Sequence, residues 1–268
     1  WLNSKIVSLP ENSGLARARK YSEQTVQTEL VIFFDADDVA SPKMLENLYS
    51  VMERESNCMG VSCYCEYIDP NSNLIGGGIY IGPKTREEFL RKALDSKLMF
   101  LPPATMFRLK TAIAAGGRAV EGFPEEGIRY QDMGEDLDLW CRMSDFYKDG
   151  KYFLVVPEIL FMYRKHINAV SSSSRAMNDR MRHIKSNLRR RRNELTDQSF
   201  IEYIASLSRW ERIKNFFHDL STDYYKQAGF NFMQKKYFWF LVNLIAASIC
   251  YPRYVSKKLQ NNVLRSLK

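Results

Sequence analysis

Apolar and polar positions alternate in blocks along the first 165 residues, and the blocks read in turn as strands and helices. Lys5–Leu9 predicts a short strand and Pro10–Gly14 a turn, followed by a helix from Leu15 to Thr28. Residues 30–34 (LVIFF) are an unbroken apolar run, the pattern of a strand buried on both faces. Ser41 and Pro42 suit the cap and first position of a helix, which Met44, Leu45, Leu48, Val51 and Met52 continue at helical spacing to about Glu55. A strand from Met59 to Ile68, a turn over 69–73 and a returning strand from Leu74 to Ile81 predict a hairpin, with Gly76–Gly78 as a plain bend. Arg86–Leu94 and Leu109–Ala115 read as helices, the second stopped by Gly116-Gly117. The turn-rich stretch from Phe123 to Met133 predicts a mobile loop. A helix opens at Gly134-Glu135-Asp136, and two short strands follow on either side of Pro157. Strand–helix alternation of this kind predicts an α/β sandwich.

The chemistry gathers where the apolar run of residues 30–34 meets Asp35-Ala36-Asp37-Asp38. Acids at the carboxyl end of a strand stand where open α/β sheets bind ligands. Crowded carboxylates repel, and a divalent cation held through oxygen relieves the repulsion. A helix cap with solvated loop acids is an equally plain reading of these four residues alone.

Charge divides the chain of 268 residues. Residues 1–174 carry 20 Lys+Arg against 24 Asp+Glu, whereas residues 175–268 carry 19 against 7. The serine run Ser171–Ser174 marks a boundary, giving a domain over 1–170 and a basic helical tail over 171–268 that contains Arg189–Arg192. Within the tail, residues 237–251 are mostly apolar, aromatic at both ends and flanked by Lys235, Lys236, Lys257 and Lys258. That run is shorter than the roughly 20 residues needed to span a bilayer, and predicts either an interfacial helix with cationic anchors or a helix docked on the domain. The five cysteines show no metal or disulfide spacing and predict free thiols in a reducing compartment. A basic pI of 9.1 raises nucleic-acid binding. The aromatics, however, cluster in one apolar run instead of interleaving with the arginines, and no recognition motif is present.

Four motifs occur in order: Asn12-x-Gly14-Leu15-Ala16-x-Ala18-Arg19, Phe34-Asp35-Ala36-Asp37-Asp38-x-x-x-Pro42, Gly134-Glu135-Asp136-Leu137-Asp138-Leu139-Trp140-x-Arg142 and Tyr163-Arg164-x-His166. Together they resemble glycosyltransferase family 2, inverting enzymes of the GT-A fold. The resemblance covers residues 5 to about 170, and the tail is similar to the C-terminal helices of bacterial surface-polysaccharide transferases. It implies a nucleotide-sugar transferase sandwich with a helical C-terminal extension, whose first βα unit lies ahead of Trp1. It also implies transfer from a nucleotide-diphosphate sugar, a UDP-sugar foremost, to a glycan or lipid-linked acceptor hydroxyl at the inner face of the cell membrane. Asp37 and Asp35 map onto the family's D-x-D motif as ligands of Mg²⁺ or Mn²⁺, with His166 as a further metal or diphosphate ligand. Asp136 maps onto the base, Glu135 onto an acceptor-side neighbour, and Arg19 and Arg164 onto the nucleotide and its phosphates. Lys20 departs from the family's usual Asn, and Asp138, on another face of its helix, is given no catalytic role. Expected partners are the donor, the acceptor and an anionic membrane surface, with no nucleic acid. The alternative is an inactive remnant that acts as a membrane-associated scaffold.

Overall fold

The computed structural model describes residues 4–165 and 174–266. The chain divides into two compact units, residues 1–172 with 180–200, and residues 173–179 with 201–268. The basic run Arg189–Arg192 thus belongs to the first unit, although the boundary read at residue 170 grouped it with the tail. The serine run lies largely outside the described residues, and so does His166.

The first unit is mixed α/β. Its sheet contains β1 (Leu30–Ile32), β2 (Val39–Ala40), β3 (Cys58–Ile68), β4 (Leu74–Ile79), β5 (Met106–Arg108) and β6 (Tyr152–Arg164). The strand order is β1-β5-β3-β6-β2, with β4 paired to β3. β3 and β6 run parallel along most of their length, and the remaining pairs are antiparallel. The helices of this unit are α1 (Leu15–Thr25), α2 (Met44–Arg54), α3 (Arg86–Leu94), α4 (Leu109–Ala114) and α5 (Glu135–Met143), joined by the part of α6 (Ser174–Arg192) that follows Asp179.

Tertiary context shifted several elements. The run 30–34 is a three-residue strand at one end of the sheet, half-buried instead of buried on both faces. Phe34 beyond it is 40% exposed and meets Phe161 edge-on. Lys5–Leu9 lies outside every strand, with Ile6 exposed. α2 starts at Met44 with no side-chain cap, so Ser41 and Pro42 precede it. The two strands expected around Pro157 are one. Cys63 pairs with Val156 and Tyr64 with Ile159, so Pro157 and Glu158 bulge out of register. A bulge is where a sheet tolerates a residue without an N–H.

The core joins both sides of this frame. Met44, Leu48 and Met52 from α2 and Phe89 from α3 are buried with Phe107, Trp140 and Phe153. Their rings interlock: Phe107 and Trp140 are 5.2 Å apart between centroids, Trp140 and Phe153 5.6 Å, both edge-on, the preferred arrangement of ring quadrupoles. This packing seats α5 against β5 and β6, which fixes the site described below.

Three of the run's four arginines are spent on this unit. Arg190 donates to the Thr196 carbonyl, Arg191 bonds Asp145 and Asp197, and Arg192 pairs with Asp145. The loop expected to be mobile is also tied down. Phe123 and Tyr130 stack on Phe200, and Arg180 lies over the Phe123 ring.

The second unit consists of the start of α6 up to Asp179, α7 (Phe200–Ser206) from Ile201 onward, α8 (Arg209–Met233), α9 (Tyr237–Cys250) and α10 (Pro252–Ser266). A reciprocal capping box between Ser208 and Glu211 opens α8. Small buried residues, Ala228 and Ala247, let α8 and α9 approach, and Ser221 Oγ donates to the Ala247 carbonyl at 2.8 Å. Tyr237, Phe238, Trp239, Leu241, Ile245 and Ile249 of α9 remain exposed. Among the described residues no helix is long and apolar enough to cross a membrane.

Candidate active site

The acids after β1 occupy a tight turn, closed by the Asp38 N–H donating to the Asp35 carbonyl at 3.1 Å. β6 grips this turn. The Arg164 N–H donates to Asp38 Oδ1 at 2.8 Å, and its Nε to the Asp37 carbonyl at 2.6 Å. Its remaining nitrogens bond the Asp69 and Pro70 carbonyls and Ser72 Oγ. Arg164 is thus a clasp between the acid turn and the β3–β4 turn, with its guanidinium committed to protein oxygens. Burial pushes the Asp38 carboxyl up to about 6, Asp37 and Asp35 add to the rise, and the bond from Arg164 opposes it. Asp38 therefore braces the turn against β6 and does not cap α2. Asp35 and Asp37 are exposed on the same turn.

On the other side stands the first turn of α5. Glu135 is buried and Asp136 half-buried, with Asp136 Oδ1 accepting the Leu137 N–H at 2.6 Å. Arg19 of α1 joins the two sides, with Nη2 donating to Asp35 Oδ1 at 2.7 Å and Nη1 to Glu135 Oε1. Burial pulls the Arg19 guanidinium down, but Glu135, Asp35 and Asp136 outweigh it and hold it above its ordinary value. Burial and the adjacent Asp136 push the Glu135 carboxyl upward, against the pull of Arg19 and Arg118.

The Asn12–Gly14 motif is explained by what receives it. Arg129 donates to Asn12 Oδ1 and to its carbonyl. Asp132 Oδ1 accepts the Ala16 N–H at 2.8 Å and so caps α1 from the loop ahead of α5. Asp138, by contrast, is structural. It is buried with Arg142 at 2.9 Å and Arg180 at 3.4 Å; burial raises its carboxyl, and the two arginines overcome this to hold it below the ordinary range.

The structure therefore brings together Arg19, Asp35, Glu135 and Asp136, and sets Asp37 and Arg164 at the same turn. Three residues tied into this arrangement were missed from the sequence, Glu23, Arg118 and Asp132, and Arg142 was read only as the end of its motif, with no role. One signal was available, because Arg19 and Glu23 stand four apart on α1 and so share a face.

Among the described residues no group of three His, Cys, Asp or Glu is placed to hold a metal ion. Two exposed carboxylates on one turn fit a different mode of binding. Mg²⁺ is usually held by one or two carboxylates, with substrate phosphates and water completing its shell. The hard oxygen donors of Asp35 and Asp37 suit such an ion.

Residues 1–116 match the model of the family described as Glycosyl transferase family 2, and this match supports a glycosyltransferase of that family. The match includes Arg19 and the acid turn and ends before Glu135. No curated protein matches the chain. A crystal structure of S. aureus TarS residues 1–349 aligns over 89% of this chain and 71% of its own, at 11% identity and a TM-score of 0.42. That likeness is too slight to bear on residue roles.

Proposed function

We propose that the protein is a metal-dependent inverting transferase that moves a sugar from a nucleotide-diphosphate donor, a UDP-sugar foremost, to a hydroxyl of a glycan or lipid-linked acceptor during cell-surface polysaccharide synthesis. The observation that carries the reading is Arg19, which spans Asp35 on the acid turn and Glu135 beside Asp136. Asp37 and Asp35 would hold Mg²⁺ or Mn²⁺, which supplies Lewis-acid neutralisation of the charge that develops on the departing diphosphate. Arg164 keeps the turn that carries these carboxylates in one shape. Asp136 takes the proton of the acceptor hydroxyl as its oxygen attacks the anomeric carbon. Attack comes from the face opposite the diphosphate, so the carbon–oxygen bond to phosphate breaks as the new glycosidic bond forms, and the configuration inverts. Glu135 orients the acceptor side, and His166 belongs to the same proposal as a further ligand. The exposed aromatic face of α9, flanked by lysines, would lie in the interface of an anionic membrane on its cytoplasmic side.

The test is UDP release from UDP-glucose and UDP-N-acetylglucosamine, with and without acceptor, in Mn²⁺ and in EDTA. Release should require the cation and disappear in Asp136→Asn and Asp37→Ala. Full activity in both variants refutes the assignment, and no binding of UDP by the wild type favours the scaffold alternative. For the membrane part, Trp239→Glu should lower sedimentation with phosphatidylserine vesicles, and unchanged sedimentation refutes it.

A further inference from the structure

Behind the proposed site runs a chain of alternating charge, Glu23–Arg118–Glu135–Arg19–Asp35, buried at Glu23, Arg118 and Glu135 and opening to solvent at Asp35. Its most buried member is Arg118, 1% exposed, with Nε donating to Glu23 Oε1 at 2.8 Å and Nη1 to Glu135 Oε1 at 3.2 Å. The same guanidinium lies 4.8 Å from the ring centroid of Phe33, which Arg19 also approaches at 5.4 Å. Phe33 stands two residues before Asp35, and Glu135 one residue before Asp136. Arg118 thus touches both halves of the site from beneath.

Its own seat is fixed by α5. Arg142, on the last turn of that helix, donates to the Ala115 carbonyl at 2.5 Å and the Gly117 carbonyl at 2.6 Å. Asp138 holds Arg142 in turn. The turn needs glycine at Gly116, where φ is +93° and a Cβ would stand 3.3 Å from Arg142 Nη1. The two ends of α5 are therefore gripped by one short segment, residues 115–118, whose last member reaches Glu135.

A buried arginine between two buried acids is weak as a stability device, because the desolvation of its charges offsets most of their attraction. What the arrangement fixes is geometry. We propose that Arg118 is a positioning residue for sugar transfer, setting the separation between the acid turn after β1 and the first turn of α5. This rests on the reading of Asp136 and the acid turn given above. A reacting group displaced by about 1 Å can cost about 100-fold in rate, and that is the loss at stake.

The experiment compares Arg118→Met, Arg118→Lys and Glu23→Gln with wild type, in intact chains with Mn²⁺ and UDP-sugars. For Arg118→Met, kcat should fall by at least tenfold while KM for the donor and calorimetric binding of UDP with Mn²⁺ stay within about threefold, a split expected when transition-state geometry alone is lost. Arg118→Lys should recover part of kcat, and Glu23→Gln should lose an intermediate amount. Unchanged kcat in Arg118→Met overturns the proposal, as does an equal loss of UDP binding and kcat in both Arg118→Lys and Glu23→Gln. A readout independent of activity is the side-chain carboxyl ¹³C signal of Glu135, followed against pH. It faces Arg19, Arg118 and Asp136, and without Arg118 its midpoint should move to higher pH. If wild type transfers no sugar but this midpoint moves, the functional reading fails and the tie between Arg118 and Glu135 stands. If the midpoint does not move, the positioning proposal fails whatever the activity.

Discussion

Replacing Gly14 with alanine tests how the first helix is fixed to the loop ahead of α5. Gly14 has φ +90° and ψ 169°, a region open essentially to glycine alone, so any side chain there costs about 1–3 kcal/mol in backbone strain. The added Cβ would also stand 2.4 Å from Asp132 Oδ2 and 3.0 Å from its Oδ1. Asp132 is the side chain that accepts the Ala16 N–H, so it must move and the α1 cap goes with it, a further loss of about 0.5–2 kcal/mol. The expected destabilisation is therefore about 1.5–5 kcal/mol, which lowers the urea midpoint by about 0.8–2.5 M for a slope near 2 kcal/mol/M. The assay is urea unfolding followed by Trp140, buried in the first unit, with Trp1, Trp210 and Trp239 changed to phenylalanine. Asp132→Ala alone should cost only the cap. The double variant should cost less than the sum of the two, because Asp132 is both the obstacle and the cap. A Gly14→Ala protein within about 0.5 kcal/mol of wild type, the range of ordinary surface substitutions, refutes the reasoning.

Three further outcomes follow from the same structure. Asp138→Ala leaves Arg180 and Arg142 without their shared carboxylate, and should cost about 3–5 kcal/mol in urea unfolding while the donor KM of the surviving folded protein is unchanged. Arg164→Met frees the acid turn from β6 and from the β3–β4 turn, and should weaken calorimetric binding of Mn²⁺ with UDP by about 10- to 100-fold. His183 is buried, with Nδ1 2.7 Å from Arg180 Nη1 and Nε2 2.7 Å from the Gln198 carbonyl, and burial holds its pKa below 6.5. The unfolded chain therefore takes up a proton as pH falls past 6.5 before the folded imidazole does. Stability is full above that pH and declines below it, and His183→Phe should flatten this part of a melting-temperature profile.

What the sequence disclosed and what it hid divide along physical lines. Periodicity located α2, whose buried Met44, Leu48 and Met52 recur every four residues, and the β3–β4 hairpin was legible because a turn of Asp, Pro, Asn and Ser separates two extended runs. It misjudged residues 30–34, because an unbroken apolar run carries no information about how many neighbours a strand has. It also misjudged residues 123–133. Their polarity implied mobility, yet Phe123 and Tyr130 find Phe200, Arg129 finds Asn12, and Asp132 finds α1, all partners far away in sequence. The four-arginine run has the same lesson, since a block of like charge looks solvated until Asp145 and Asp197 are seen beside it.

The candidate site shows where such reading ends. Asp35, Asp37, Glu135 and Asp136 announced themselves as clustered acids, but an acid cluster is an unstable arrangement without cations, and the cations came from elsewhere. Arg19 was visible through its motif. Arg118 was not, because its role depends on a glycine turn whose carbonyls are held by Arg142, which is itself held by Asp138. Asp138 and Arg142 form an i,i+4 pair on α5, which on an exposed helix would be worth a few tenths of a kcal/mol. Here, buried, the pair aims a third residue at Glu135. The motif Gly134-Glu135-Asp136-Leu137-Asp138-Leu139-Trp140-x-Arg142 therefore combines two functions on one helix. Its first turn faces the acid turn, Trp140 anchors it in the core, and Asp138 with Arg142 secures the segment that fixes the first turn in place. Substitutions at the far end of α5 should for this reason act on the chemistry without touching either substrate.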